Sequence, residues 1–233
     1  MPKLIKFMAA SQETDDKIEP PKPARAGVPE WYKKANRFIS GKMQITPEGV
    51  VNKDIKLCVP FLDAMTGGYL IELPADLLIE RTQNGVSFYW HEEPQLIEFR
   101  NKEMATTLPR PAGHDHDLYA WVIHWATILP PGYSALVVHP LNRFDLPFIT
   151  TNGVVDADNY FTGGQIPFFL RSDFVGIIPA GTPIVQIIPF KREDWKHEIL
   201  PYDAKWMKST MYSVSRFITG GYKKLKWQKK HFE

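Results

Sequence analysis

Short runs in which apolar and polar residues alternate, separated by Gly, Pro, Asn or Asp, occupy most of this chain from residue 55 onward. Residues 69–73, 77–80, 86–90, 118–125, 135–138, 165–170 and 184–188 are the clearest, each rich in β-branched and aromatic side chains. Segments of this kind suit a pleated surface with a buried face, so each predicts a strand. No long helical period lies between them, and the pattern as a whole predicts an all-β sandwich or barrel. Helix is expected only in short stretches such as 203–217, where Trp206, Met207, Met211, Val214 and Phe217 share a face.

The two ends read differently. Pro20, Pro21, Pro23 and Pro29 fix φ and remove donors, so residues 1–35 are expected to form an extended, polyproline-like arm anchored by Trp31 and Tyr32. The same prolines would also suit a ligand of a proline-binding module. Residues 36–200 form the expected β domain, and 201–233 a helical, basic and aromatic second arm. Its last stretch interleaves Lys223, Lys224, Lys226, Lys229 and Lys230 with Tyr222, Leu225, Trp227 and Phe232. Basic residues among aromatics grip phosphates and stack bases, or they leave the lysines in water while the aromatics dock on a protein surface.

Composition narrows these choices. A chain of 233 residues can bury one sizeable core, and 44% hydrophobic content without a membrane-length apolar run predicts a soluble protein with no membrane partner. The N-terminus lacks the long apolar stretch of a secretory signal, so a cytoplasmic location is expected, in a host cell or virion if the chain is phage-encoded. A net charge of +2 argues against nucleic acid as the partner of the whole molecule. The single cysteine, Cys58, lies between apolar neighbours and is expected to be a small core residue.

His114 and His116 are two residues apart, on one face of an extended strand, as in metal sites of cupin-type sandwiches. His124 or His139 would supply a third ligand, but no glutamate follows within 118–125 to complete that pattern. A polar loop ahead of a strand is the simpler account of the pair.

Four further segments carry a family likeness. They are Thr66-Gly67-Gly68-Tyr69-Leu70, the strand from Pro131-Gly132-Tyr133 to Pro140-Leu141-Asn142, the turn Gly153-Val154-Val155-Asp156-Ala157-Asp158-Asn159-Tyr160, and Gly181-Thr182-Pro183-Ile184-Val185-Gln186. In this order they resemble the motifs of the trimeric dUTPase and dCTP deaminase family, across residues 66–190. The resemblance implies a β-clip, or distorted jelly-roll barrel, whose sites form between subunits of a homotrimer. It makes Asp156 the candidate water-orienting base and Asn142, Arg143, Tyr160 and Gln186 the candidate nucleotide contacts. Leu70 stands where the family has its magnesium-organising aspartate, and Asn142 where it has a phosphate-binding serine. Gly220-Gly221-Tyr222 is faintly similar to the family's mobile C-terminal arm. The segments around Trp31, Cys58 and Gly181 also resemble a protein family of tailed phages and bacteria, which brings no activity with it.

Together these readings lead to the expectation of a non-catalytic, trimeric assembly or binding protein with no cofactor, a phage-associated structural or accessory protein that meets other assembly proteins. A nucleotide pyrophosphohydrolase using magnesium is the alternative. A metal-dependent, cupin-like enzyme using a transition metal on His114 and His116 is a third reading. In the bland reading of the turn, Asp156 and Asp158 only shape it by accepting from nearby backbone donors.

Overall fold

The computed structural model describes residues 3–83, 85–91, 94–100, 107–160 and 163–233. The chain begins with β1 (Lys6–Ala9), α1 (Gln12–Lys17), β2 (Lys22–Pro23), α2 (Glu30–Lys34) and α3 (Val59–Thr66). There follow β3 (Tyr69–Glu72), β4 (Leu77–Thr82), β5 (Gly85–Tyr89), β6 (Ile97–Phe99), β7 (His114–Ile123) and β8 (Trp125–Ile128). Next come β9 (Tyr133–Val138), β10 (Phe148–Thr150), β11 (Gly153–Val155), β12 (Gly164–Arg171), β13 (Gly176–Ile178) and β14 (Pro183–Lys191). The chain closes with α4 (Ala204–Ser215) and α5 (Gly221–Leu225). The fold is all-β, and every strand pairing is antiparallel.

A five-stranded sheet in the order β11-β9-β14-β3-β2 and a four-stranded sheet in the order β10-β12-β7-β6 enclose the core, with the sheets β13-β4-β5 and β1-β8 beside them. Trp121 of β7 stacks on Phe168 of β12 at 3.8 Å, both fully buried, and Phe148 meets Trp121 edge-on. The indole N–H of Trp121 donates to Thr150 Oγ1, whose hydroxyl donates to the carbonyl of Ile184 in β14. This chain of bonds ties the two large sheets together where the core is driest, and it satisfies polar groups that would be costly to bury alone. Arg81 makes the corresponding tie for the three-stranded sheet. Its guanidinium pairs with both oxygens of Asp115 at 3.0 and 2.8 Å and also reaches the carbonyls of Arg171 and Phe174.

Both ends are fastened to the chain's own body. The expected extended arm is interrupted by α1 and α2; Ser11 caps α1, and the prolines lie outside both helices. β1 pairs with β8, β2 with β3, and Tyr32 stacks on Phe61 of α3. α3 is a helix where sequence predicted β texture. Pro60 sits in its first turn, where no amide hydrogen is needed. The helix leaves Cys58 at its N-cap, exposed rather than in the core, because its apolar neighbours turn inward along α3 and it does not. Gly68, at φ +73°, lies so close to Ile187 that a Cβ would fall 2.0 Å from its carbonyl oxygen, so only glycine permits β3 to enter beside β14.

The C-terminal tail docks on α3. Trp227 Nε1 and Lys230 Nζ each donate to Asp63 Oδ2 at 2.7 Å, and Tyr69 donates to the carbonyl of Glu233. Between β14 and this tail, residues 193–203 have no regular structure, and no residue of α4 is buried. No helix among the described residues is long and apolar enough to cross a membrane.

Candidate functional site

The candidate residues fall into two groups. The first is the turn after β11, which β9 and the end of β14 hold in place. The amides of Asn159 and Tyr160 both donate to the carbonyl of Asp156, at 2.9 and 3.0 Å, so the chain reverses there. This brings the Asp156 carboxylate against β9, where it accepts from Ser134 Oγ at 2.7 Å, and against Arg192, where it accepts from Nη1 at 3.2 Å. Arg192 is set by the register that pairs Lys191 with Tyr133, one step beyond which its own amide donates to the carbonyl of Gly132.

Asp158 is the better held of the two aspartates. Its side chain is 5% exposed against 61% for Asp156. It accepts from the amide of Gly132 at 2.7 Å and from both terminal nitrogens of Arg192. Hydrogen bonding from Arg192 is the main cause that lowers the Asp158 carboxyl from its usual 3.8 to about 2, with the Gly132 amide adding to it against the opposing effect of burial. Arg192 is raised in turn, chiefly by Asp158. Asp156 is therefore already occupied by a cation and a hydroxyl of its own chain. A base meant to orient water would need that carboxylate turned toward a substrate.

The second group surrounds the loop after β9. Gln186 is fully buried and spends both ends of its amide internally, accepting from Leu141 N at 2.8 Å and donating to the carbonyls of Ala64 and Gly67. Asn142, at φ +61°, donates to the carbonyl of Phe61. Arg143 makes a two-pronged pair with Asp145 at 2.9 and 2.8 Å. Gln186 and Asn142 thus lock α3 and the loop onto β14, and Arg143 braces the loop itself. Leu70 is buried beneath the N-terminal segment, with Gly27 so close that a Cβ there would lie 2.3 Å from its side chain. Among the described residues no hydrogen bond joins the two groups, and Tyr160 stands exposed at the edge of the turn.

The histidines are scattered in role. His114 Nδ1 donates to the carbonyl of Ala112 and His124 Nε2 to that of Gln95, while His116 is exposed. His139 is engaged at both nitrogens. Nδ1 accepts from Thr150 N and Nε2 donates to the carbonyl of Arg143, and burial lowers its pKa below the usual 6.5. Among the described residues, no three His, Cys, Asp or Glu side chains gather to hold a metal ion.

Beside the turn lies a cavity of about 310 Å³, open at one side between the two large sheets. Ile71, Ile123, Val137 and Ile187 line it from within, and Tyr160 and Gln165 stand at its rim. Sequence reasoning missed this cavity, and also Ser134 and Arg192. Ser134 lies within a segment that the motif comparison covers and Arg192 just beyond it, and only the pairing of β9 with β14 brings them both to Asp156. No protein-family model matches the sequence, and no curated protein matches it.

Proposed function

We propose that this chain is a non-catalytic assembly or binding protein on a dUTPase-like β-clip fold, working as a homotrimer in a phage-associated structural or accessory role. One observation carries the reading. Trp195, Ile199, Leu200, Tyr202, Trp206, Met211 and Tyr212 all stand in water, Trp195 at 85% and Ile199 at 89% exposure. They do so on a strap whose two ends are fastened to the body, at Arg192 and at Trp227. Each large apolar side chain gains about 1.5–3 kcal/mol when buried, and a run of them on one surface marks an interaction site. Other copies of the same chain are the partners most oligomers use, and the family resemblance of the motifs sets their number at three.

Internal occupation of the candidate catalytic groups supports the non-catalytic half of the proposal. Phosphoryl chemistry needs charge neutralisation at the leaving group as well as an oriented water. Here Arg143 and Arg192 are paired to Asp145 and to the two aspartates of the turn.

Light scattering tests the assembly. The wild type should have the mass of three chains at micromolar concentration. Replacing Trp195, Ile199, Leu200 and Tyr202 by serine should give a monomer with unchanged circular dichroism in the β region. A monomeric wild type would sink the proposal. The enzyme alternative has its own assay: hydrolysis of dUTP or dCTP with magnesium, abolished by Asp156→Asn, would replace this reading. We expect no turnover, and a change in stability from that substitution of about 0.5 kcal/mol or less, as for other exposed surface groups.

A further inference from the structure

The C-terminal end of the chain carries its charge unevenly, and the assembly reading makes no use of it. Between Ala204 and Phe232 stand eight lysine or arginine residues and no aspartate or glutamate. The rest of the chain holds the other 20 of the 28 basic residues and all 26 acidic ones. The small net charge of the whole molecule therefore hides a basic segment on an acidic body. Folding keeps that segment basic. Lys223, Lys224, Lys226 and Lys229 are exposed, and of the eight only Lys230 is paired with a carboxylate, Asp63, among the described residues.

We infer that this segment, with the groove beside it, binds single-stranded nucleic acid. Clustered cations without counter-charges call for a polyanion. The groove supplies the other half of the argument. It lies between the segments 45–60 and 214–223 and has a volume of about 750 Å³. Val50, Phe217, Ile218 and Tyr222 line it together with Lys53 and Lys223, and among the described residues no acidic side chain does. Gly221 sets its wall: a Cβ there would fall 2.2 Å from the carbonyl of Val214, so α5 lies tight against the end of α4. Tyr222 is 41% exposed and Lys223 follows it, so ring and cation open on the same groove. Unpaired bases stack on such rings while lysines hold the phosphates between them.

Two features separate this partner from other polyanions. An anionic membrane would need apolar side chains beside the lysines that are free to enter it. The large rings of the tail are instead spent on the body, where Trp227 donates to Asp63 and Phe232 packs edge-on against Tyr69. A duplex keeps its bases inside and would use the lysines alone, leaving Tyr222 and the apolar groove without a partner. None of the strap side chains assigned to assembly, Trp195 to Tyr212, lines this groove, so the inference stands apart from the trimer.

Fluorescence anisotropy of labelled oligothymidylate and oligouridylate, each of about 12 nucleotides, tests this on the full-length protein, and the pair tells DNA from RNA. With the four exposed lysines on phosphates, affinity for the bound strand should fall about fiftyfold between about 50 and 200 mM salt. Replacing Lys223, Lys224, Lys226 and Lys229 by glutamine should weaken binding about tenfold or more and flatten that salt dependence. Tyr222→Leu keeps an apolar side chain but removes the ring, and should weaken binding about tenfold with the salt dependence unchanged. Circular dichroism checks the fold of each variant. If the fourfold variant does not fold, Lys226→Gln with Lys229→Gln, both outside α5, makes the same test. Absence of binding to either strand at about 50 mM salt would overturn the inference. So would equal affinity for a duplex of the same length, binding that survives the lysine substitutions, or displacement of the strand by micromolar dTTP, which would make the groove a mononucleotide pocket. Tighter attachment to phosphatidylserine vesicles than to either strand would overturn it in favour of a membrane.

Discussion

β14 and the strap that continues it are adjacent in sequence and opposite in environment. Pro183 to Ile187 are buried between β3 and β9, whereas from Ile188 to Gly220 no residue is buried at all. Both segments are apolar. What separates them is not hydrophobicity but neighbours: β14 has a strand on each side, and the strap, with Glu193, Asp194, Lys196 and Glu198 among its aromatics and Pro201 in its path, joins no sheet of its own chain. Apolar sequence identifies surfaces that gain from burial; topology decides whether the same chain supplies the cover. In the body that cover is intramolecular, and in the strap we propose it comes from other copies.

The sharpest way to break this contrast is at Trp121. Removing its ring by Trp121→Ala should cost about 3–5 kcal/mol in urea denaturation, as large core truncations do. Trp195→Ser, measured at a dilution where both proteins are monomeric, should cost about 0.5 kcal/mol or less. Comparable losses at the two tryptophans would mean that the strap packs on its own body in solution. Gln186→Ala comes next. It strands the amide of Leu141 and the carbonyls of Ala64 and Gly67, and should cost about 3 kcal/mol by the usual penalty for unpaired buried groups. The loss should appear in denaturation without change in oligomeric mass, because Gln186 lies in the body.

The smallest effect concerns the root of the strap and is read by pH. The Asp158 carboxyl is lowered from 3.8 to about 2 in the folded protein. Its contribution to stability is therefore complete above the unfolded value, and it is lost as pH falls from about 4 through about 2. Arg192→Gln removes the main cause of that shift, so stability near neutrality should fall and the acid unfolding midpoint move to higher pH, while stability below about pH 2, where Asp158 is protonated in both proteins, changes little. An unchanged acid limb would show that the Arg192 pair does not persist in solution.

Much of the body was legible in the sequence, because a strand with one buried face writes its alternation into the residues themselves. The runs around Tyr69, Leu77, Val86, Leu118, Ala135, Gln165 and Ile184 all became strands, and the helix expected at 203–217 formed as α4. α3 was not legible, since eight residues are too few to display a helical period and Pro60 suggests a break where it marks a start. The site was less readable still. Asp156 and Gln186 stand out as polar residues among apolar ones, but their partners come from strands distant in sequence. Arg192 looks like an ordinary surface cation until β14 lies beside β9. Likewise Arg143 and Asn142 look available in a list of residues and are spent once Asp145 and Phe61 arrive.

The order of strands in the five-stranded sheet also governs how the protein is made. β14, the last of the described strands in chain order, fits between β9 and β3, and β2 lies beyond β3. Until residue 191 has emerged, β3 and β9 each present a bare edge to solvent, and β2 has only an isolated neighbour to join. Pairings so distant along the chain form slowly, because a long loop must close before any contact rewards it. A nascent chain that stalls before Pro183 lacks the centre of its main sheet and exposes two apolar edges together, the condition in which unfinished β proteins aggregate. Folding of the main sheet is thus deferred until β14 arrives.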